Sequence, residues 1–273
     1  MKYQKYLEAI ETLSKIEKER SKYLIIHYAC ESFYNSEIAK TPRIGAIAVR
    51  FFDSGQTYSF SMHKSAEILK IDPEDIPSKY DEVEFAMLTD FAKFLKEHKD
   101  YKWIHWNMRD GNYGFQAISH RYRVLQNKLV KGRSIKVEML EINDSNKVDL
   151  AMLLINKYGV RYVGNPRMQK LVEINNLSPK DFLTGEDEAK AFSDNDFHKL
   201  LMSTLEKVSL LSIFTQRAID NDLKHNGKFL DVCDDWKTSL VKFLTGNIYG
   251  IVISLVISAL LGHYIPKLIN WCF

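Results

Sequence analysis

An uncharged run lies near the end of this chain and limits how that part can fold. Residues 243–266 form 24 consecutive positions without Asp, Glu, Lys or Arg, and residues 251–261 form an apolar centre. A helix of about 20 apolar residues crosses the roughly 30 Å of hydrocarbon in a bilayer. Tyr249 and Tyr264 stand near the ends of the run, where aromatic rings favour the headgroup level. The run therefore predicts a single transmembrane helix.

The lysines around this run predict its orientation. Four precede it, Lys224, Lys228, Lys237 and Lys242, and Lys267 follows it. Positive residues favour the cytoplasmic side of a membrane helix. Residues 1–22 are charged and amphipathic and do not resemble a secretory signal. We therefore expect a tail-anchored membrane protein with a single pass and its N-terminal body in the cytoplasm.

Small residues recur every four positions within the run. They are Gly246, Gly250, Ser254, Ser258 and Gly262. Residues at i and i+4 share a helix face, and a face of small residues lets helices approach closely in lipid. The spacing predicts a homo-oligomer formed through the tail. The alternative is chance, because Gly and Ser are common in membrane helices.

The rest of the chain has the composition of a folded domain. Hydrophobic residues make up 45% and charged residues 27%, and the net charge is only +3. These values exclude a disordered chain or a polyelectrolyte. The three cysteines (Cys30, Cys233 and Cys272) are too widely spaced for a disulfide framework or a zinc site, so we expect free thiols and no metal. We divide the chain into an amphipathic helix (1–22), a cytoplasmic domain (23–235) and a membrane tail (236–273).

Hydrophobic periodicity predicts alternating strands and helices in the body. The expected strands lie at residues 23–30, 43–52, 56–62, 101–106 and 137–142. The expected helices lie at residues 2–22, 81–98, 113–126 and 149–158, after Asn165, and after Asp194, which is expected to cap a long helix. The second and third strands would form a hairpin. This order predicts an α/β fold with a mixed sheet flanked by helices.

Three segments at the ends of these elements carry a resemblance. The first strand closes with Tyr28-Ala29-Cys30-Glu31, and the hairpin follows at residues 44–60. The second segment is His105-Trp106-Asn107 with Asn112-Tyr113-Gly114-Phe115, and the third is Leu205-Glu206-Lys207-Val208 on a late helix. Their order over residues 23–220 resembles the DnaQ-like (DEDD) 3′–5′ exonucleases. That resemblance implies an RNase H-like fold.

The resemblance also implies a site that has lost most of its ligands. In the family, four carboxylates hold two Mg²⁺ ions, one of which activates a water for attack on a phosphodiester. Here Glu31 stands where the family has its Glu, whereas Ala29, Gly114 and Lys207 replace three Asp residues. A shift by one residue would place Glu206 in the third motif, and the auxiliary Tyr or His of the family falls on Ser203 or Met202. Lys207, in the position of a metal ligand, would repel Mg²⁺. We therefore expect a degenerate member that keeps Glu31 and Glu206, has no confident catalytic residue and binds no cofactor.

A basic stretch with aromatic residues lies in the middle of the body. Residues 99–136 contain nine Lys or Arg against two Asp, with Trp and Tyr residues between them. Such a pattern is typical of surfaces that bind single-stranded nucleic acid. The alternative is a solvated face whose aromatic residues belong to the core, and the acidic residues of 181–196 are expected to solvate a loop or to dock on this stretch in an oligomer. The candidate nucleic-acid contacts are Arg109, Arg121, Arg123, Lys128, Lys131 and Arg133.

Three hypotheses of function follow from these observations. The first is a membrane-anchored, catalytically inactive exonuclease-like binding module whose tail self-associates. Its partner would be a nucleic acid, a nucleotide or a sensor protein, and its layout is similar to that of membrane effectors in bacterial anti-phage defence. The alternative is an active Mg²⁺- or Mn²⁺-dependent 3′–5′ exonuclease tethered to the membrane, using Glu31 and Glu206 with Asp110 or Asp149. A membrane-tethered scaffold that binds only protein is a third hypothesis.

Overall fold

The computed structural model describes residues 2–31, 41–109, 113–130, 138–233, 241, 244–245 and 248–272. Within them five strands form one sheet in the order β3-β2-β1-β4-β5. β1 pairs antiparallel with β2, and β2 pairs antiparallel with β3. β4 lies parallel to β1, and β5 lies parallel to β4. The strands are β1 (Tyr23–Cys30), β2 (Ile44–Phe51), β3 (Thr57–Ser61), β4 (Lys102–His105) and β5 (Lys147–Asp149). The predicted α/β fold with a mixed sheet flanked by helices is confirmed.

Helices connect and cover the strands. Asp149 caps α5 (Leu150–Tyr158), because its Oδ1 accepts the N–H of Met152 over 3.3 Å. The cap expected at Asp194 is wrong by two residues: Asp194 ends α7, and Asp196 accepts the N–H of Lys199 over 3.0 Å at the start of α8. The helices are α1 (Lys2–Lys18), α2 (Met62–Ile68), α3 (Tyr80–Glu97), α4 (Phe115–Leu129), α5 (Leu150–Tyr158), α6 (Arg167–Ile174), α7 (Gly185–Ser193), α8 (Phe197–Ile219) and α9 (Ile248–Cys272).

The sheet separates two hydrophobic clusters. Side chains alternate along a strand, so successive residues of β1 enter different clusters. Leu24 and Ile26 pack with apolar residues of α3 and α4. Tyr23 and Ile25 pack with α1, α5 and the middle of α8. The central strand is therefore buried on both faces, and its carboxyl end lies between the two helical layers.

The last predicted strand is misplaced. Residues 138–143 have no regular structure, and residue 137 lies outside the described part of the chain. The fifth strand forms instead at Lys147–Asp149, where Lys147 pairs with Trp103 and Asp149 with His105. Pairing with β4, a contact distant in sequence, selects this segment.

The uncharged run overlaps α9 over residues 248–266. Gly250, Ser254, Ser258 and Gly262 all lie in this helix, whereas Gly246 lies outside the described residues. Within the part of the chain that the structure describes, no helix has both the length and the apolarity needed to cross a membrane. The transmembrane helix expected from the sequence therefore stays a prediction.

Candidate functional site

An ion pair lies near the carboxyl end of β1, between two helices. Lys207 Nζ on α8 lies 2.6 Å from Glu188 Oε1 on α7, and the two side chains are only 7% and 12% exposed. Ser203, one turn before Lys207, donates its hydroxyl to the same Glu188 oxygen over 2.8 Å. A buried charge is costly unless it is paired and hydrogen-bonded. Glu188 meets both conditions, so the pair is a built part of the fold.

β1 brings uncharged groups to this end of the sheet. His27 is buried, and burial, followed by the charge of Lys207, holds its pKa well below the usual value. Its imidazole is therefore neutral at pH 7. Ala29 lies two residues further on the same face and offers only a methyl group. Burial raises the pKa of the Cys30 thiol, and the nearby Glu188 carboxylate raises it further, so the thiol stays protonated.

The turn before α4 fills the remaining side of this site. The ring of Tyr113 stacks on that of Tyr28 with centroids 4.6 Å apart. The Tyr113 hydroxyl donates to the backbone carbonyl of Tyr28 over 3.2 Å, and the N–H of Gly114 donates to the Tyr28 hydroxyl over 2.9 Å. Burial raises the pKa of Tyr113 well above its usual value, and Tyr28, Cys30 and Glu188 raise it further. Segments that resemble the first and second exonuclease motifs therefore meet here through two tyrosines.

Two of the carboxylates that the alternative hypothesis assigns to a metal site have other partners. Glu31 lies 3.4 Å from the Arg43 guanidinium, and Asp149 lies 2.7 Å from that of Arg109. Glu206 precedes Lys207 on α8, so it points about 100° away around the helix. Asp110 lies outside the described residues. For the three that the structure describes, no convergence on a metal position is seen, since no described group of three or more His, Cys, Asp or Glu side chains could hold a metal ion.

The residues at the end of β1 do not fit a pair of Mg²⁺ ions. Such ions require several hard oxygen ligands, but this site presents an imidazole, a methyl, a thiol and an ammonium group. Among the described residues, the largely buried carboxylate of Glu188 already binds Lys207. In the described ranges, no group of three or more His, Cys, Asp or Glu side chains could hold a metal ion.

Glu188 is the main residue that sequence reasoning missed. It belongs to the acidic run at residues 181–196, which was interpreted as a solvated loop. Most of that run forms α7, which Thr184 and Asp187 begin with a capping box. This Thr-x-x-Asp spacing was a signal for a helix start. A helix over these residues has one face toward the domain, so at least one of its acidic residues could be expected to face the domain.

A second candidate site is a cavity of about 310 Å³ at the carboxyl ends of β4 and β5. Ligands of open α/β sheets commonly bind outside the carboxyl ends of parallel strands. Phe115 begins α4, and its first turn has no side-chain cap, so N–H groups at the helix start remain for other acceptors. The lining residues are His105, Met108, Arg109, Phe115, Gln116, Asp144, Lys147 and Asp149.

The imidazole of His105 is held neutral in one tautomer at this cavity. The N–H of Met108 donates to its Nδ1 over 3.2 Å, so the ring proton lies on Nε2. Burial lowers the pKa of His105 to about 4, against a raising effect of Asp149. Arg109 pairs with Asp149, and Lys147 Nζ lies 2.7 Å from Asp144 Oδ1. The cavity therefore combines donors, acceptors and an aromatic side chain, and its four charges balance.

The predicted nucleic-acid contacts are mostly engaged with carboxylates. The prediction that Arg121 contacts nucleic acid is wrong. Arg121 is 8% exposed and forms an ion pair with buried Glu84, so it is not a surface cation. The other described candidates pair as well: Arg109 with Asp149, Arg123 with Glu141 at 2.5 Å, and Lys128 with Asp81. Lys131 and Arg133 lie outside the described residues.

The sequence favours packed histidines over a metal or acid–base cluster of His27, His105 and His120, and the structure places the three on different elements. His27 and His105 are buried, and the ring of His105 packs edge-on to Phe115 with centroids 5.6 Å apart. His120 is exposed on α4. Two of the three are packed residues, as expected.

Comparison of the chain with models of known protein families gives no match, and no curated protein matches it.

Proposed function

We propose that this protein is a membrane-anchored, catalytically inactive exonuclease-like binding module that self-associates through its tail. The observation that carries the proposal is the buried pair of Lys207 and Glu188 at the end of β1. An exonuclease of the resembled family needs carboxylates and metal ions at that place. A fixed ammonium group repels a divalent cation and occupies the carboxylate that could bind it. Catalysis by two metals is therefore lost while the fold is kept.

The sheet supports the exonuclease-like part of this proposal. An antiparallel hairpin followed by two parallel strands on the other side of β1 gives the order β3-β2-β1-β4-β5. This mixed order is compatible with an RNase H-like fold. The segments similar to the first and second motifs also lie side by side, through Tyr28 and Tyr113. Fold and function remain separate questions, because one fold hosts many activities.

The cavity at β4 and β5 is the binding site that we propose for a nucleotide or the end of a nucleic acid. Its volume is within the range of small-molecule sites. Phe115 offers an aromatic surface for a base, and Arg109 offers a guanidinium for a phosphate. Arg109 would exchange its contact with Asp149 for the ligand. The exposed surface of α4 contributes less, because its cations are paired.

The membrane part of the proposal rests on the sequence. Residues 243–266 lack acidic and basic residues, and the lysines around them favour a cytoplasmic body. α9 carries four of the five small residues with a spacing of four. By analogy of layout, a cytoplasmic sensing body on a self-associating membrane tail suits a membrane effector of bacterial anti-phage defence.

Two measurements test catalysis and binding together. Full-length protein in detergent is incubated with labelled single-stranded DNA or RNA and Mg²⁺ or Mn²⁺. We expect no shortening of the strand, and fluorescence anisotropy should detect binding that Arg109→Ala weakens. Arg161→Ala is the matched control, since Arg161 follows α5, is exposed and likewise pairs with a carboxylate, that of Asp231. Degradation that disappears in Glu31→Gln would establish the active exonuclease instead.

Self-association is tested by crosslinking in detergent. Gly250→Leu should abolish the crosslinked oligomer, because a large side chain separates helices that meet on small residues. Val252→Leu changes a residue off the small-residue face and serves as the control. Equal crosslinking of both variants and the wild type removes this part of the proposal.

A further inference from the structure

The segment that leads to the tail is fixed to the body by hydrogen bonds. The N–H of Asn226 donates to the carbonyl of Tyr162 over 2.8 Å. The side chain of Asn175 accepts the N–H of Lys224 over 3.0 Å and donates to its carbonyl over 3.2 Å. Arg161 lies 3.1 Å from Asp231. The chain is thus attached to α5 and α6 almost as far as Cys233.

Exposed apolar side chains collect where this attached segment ends. Val160 is 61% exposed, Phe229 is 52% exposed and Leu230 is 66% exposed. Tyr6 of α1 contacts the Phe229 ring edge-on, with centroids 6.0 Å apart. We call Tyr6, Val160, Phe229 and Leu230 the root patch. Several large apolar groups exposed together mark an interaction surface more often than scattered ones do.

The end of α5 lies in close contact with the attached segment. Gly159 leaves no space for a side chain, because a Cβ there would lie 2.5 Å from that of Asp231. Val160 is therefore next to the turn that carries Phe229 and Leu230. The patch comes from three separate parts of the sequence and exists only in the folded body.

The position of the root patch favours a lipid surface as its partner. Nine residues, 234–242, separate Cys233 from the start of the uncharged run. Even fully extended, they span at most about 30 Å. If the run crosses a bilayer, the root patch therefore lies within that distance of the headgroups. A soluble partner would have to enter this narrow space.

The charges beside the root patch suit anionic headgroups. Lys5 and Lys228 are exposed, and the 86% exposed side chain of Arg161 forms an ion pair with Asp231. Asp231 is already bound by Arg161 and by the N–H of Lys228 over 3.0 Å. Basic residues around apolar and aromatic side chains are typical of segments that lie in the membrane interface.

We propose that the root patch docks on an anionic lipid bilayer and inserts Phe229, Leu230 and Val160 at the headgroup level. This inference rests on the proposed membrane tail. It adds that the body has a fixed orientation, with α1 and the end of α5 facing the membrane.

Depth-dependent quenching of an attached dye tests the inference on the full chain. The native cysteines are changed to serine, and single cysteines at Leu230, Val160, Ile257 and Ile68 carry an environment-sensitive dye. The protein is placed in vesicles of phosphatidylcholine with 30% phosphatidylglycerol, with or without brominated acyl chains. The dye at Ile257 reports whether the tail is inserted in the bilayer. Ile68 on α2 is 73% exposed and is the control for an apolar residue outside the root patch.

We expect quenching at Ile257, Leu230 and Val160, and none at Ile68. Quenching at Ile257 alone overturns the root patch but leaves the proposed tail intact. Absence of quenching at Ile257 overturns the tail and the docking together. A second variant checks the cause: Phe229→Ser with Leu230→Ser should remove at least half of the quenching at Val160, and unchanged quenching there would contradict docking. Circular dichroism establishes that each variant is folded.

Discussion

Arg121 Nη2 lies 2.6 Å from Glu84 Oε2, and both side chains are buried between α3 and α4. Glu84 also accepts the N–H of Ile44, the first residue of β2, over 2.7 Å. Removal of one partner leaves the other buried charge uncompensated. We expect Glu84→Gln to lower the free energy of unfolding by about 3–5 kcal/mol. Chemical denaturation in detergent measures the change. Glu82→Gln, on the exposed side of the same helix, should change it little, and equal effects would contradict this role.

The Lys207–Glu188 pair should behave as a coupled unit. Lys207→Met leaves Glu188 with Ser203 but without a positive charge, and we expect a loss of about 3 kcal/mol of stability. Glu188→Met should cost a similar amount. The double variant should cost clearly less than the sum, because no uncompensated charge remains. Lys199→Met on the exposed face of α8 is the control for helix effects. Additive losses would mean that the two side chains act independently.

His105 should make stability depend on pH in the acidic range. Its pKa falls from 6.5 to about 4 on folding, so between these values the unfolded state binds more protons. Stability is then complete above pH 6.5 and decreases as the pH falls toward 4, by up to about 3 kcal/mol. Melting temperatures from pH 7.5 to 4.5 should show a smaller decrease for His105→Gln than for the wild type. Parallel curves would show that His105 does not contribute.

Gly159 should be required where α5 meets the segment before the tail. Its φ of +88° is unfavourable for other residues, and a Cβ would collide with Asp231. We expect Gly159→Ala to cost about 2 kcal/mol and to speed amide exchange at Asn226. Gly164→Ala is the control, because a Cβ there would lie 3.8 Å from Lys170 Cγ, an ordinary contact. Unchanged exchange at Asn226 would contradict the attachment described for this segment.

The sequence could predict the sheet because β1, β2 and β3 are long runs with clear boundaries. It could not place β5, since three residues carry little periodicity. The position of this strand depends on its pairing with Trp103 and His105. The buried position of Arg121, by contrast, could have been predicted. This residue follows Ile118 by three residues and precedes Leu125 by four, so the same periodicity that predicted α4 also placed Arg121 on the buried face. Counting its charge without its helix position led to the wrong prediction.

The candidate site was harder to predict, because its central pair joins residues on different helices. Lys207 was singled out from its position in the third motif, whereas Glu188 has no local pattern that marks it as buried. The ion pair depends on how α7 packs against α8 and β1. Such packing of distant segments is a tertiary property that a single sequence does not display.

The attachment of residues 224–231 to the body also sets how close two copies would be. Only nine residues lie between Cys233 and the uncharged run, so two bodies joined by their tails are separated by at most about 60 Å of extended chain. Tethers of this length give a local concentration in about the millimolar range. An interface between two cytoplasmic domains that is too weak to form in free solution would therefore be largely occupied in the paired protein. A small change in the affinity of that interface would alter how the two domains are arranged.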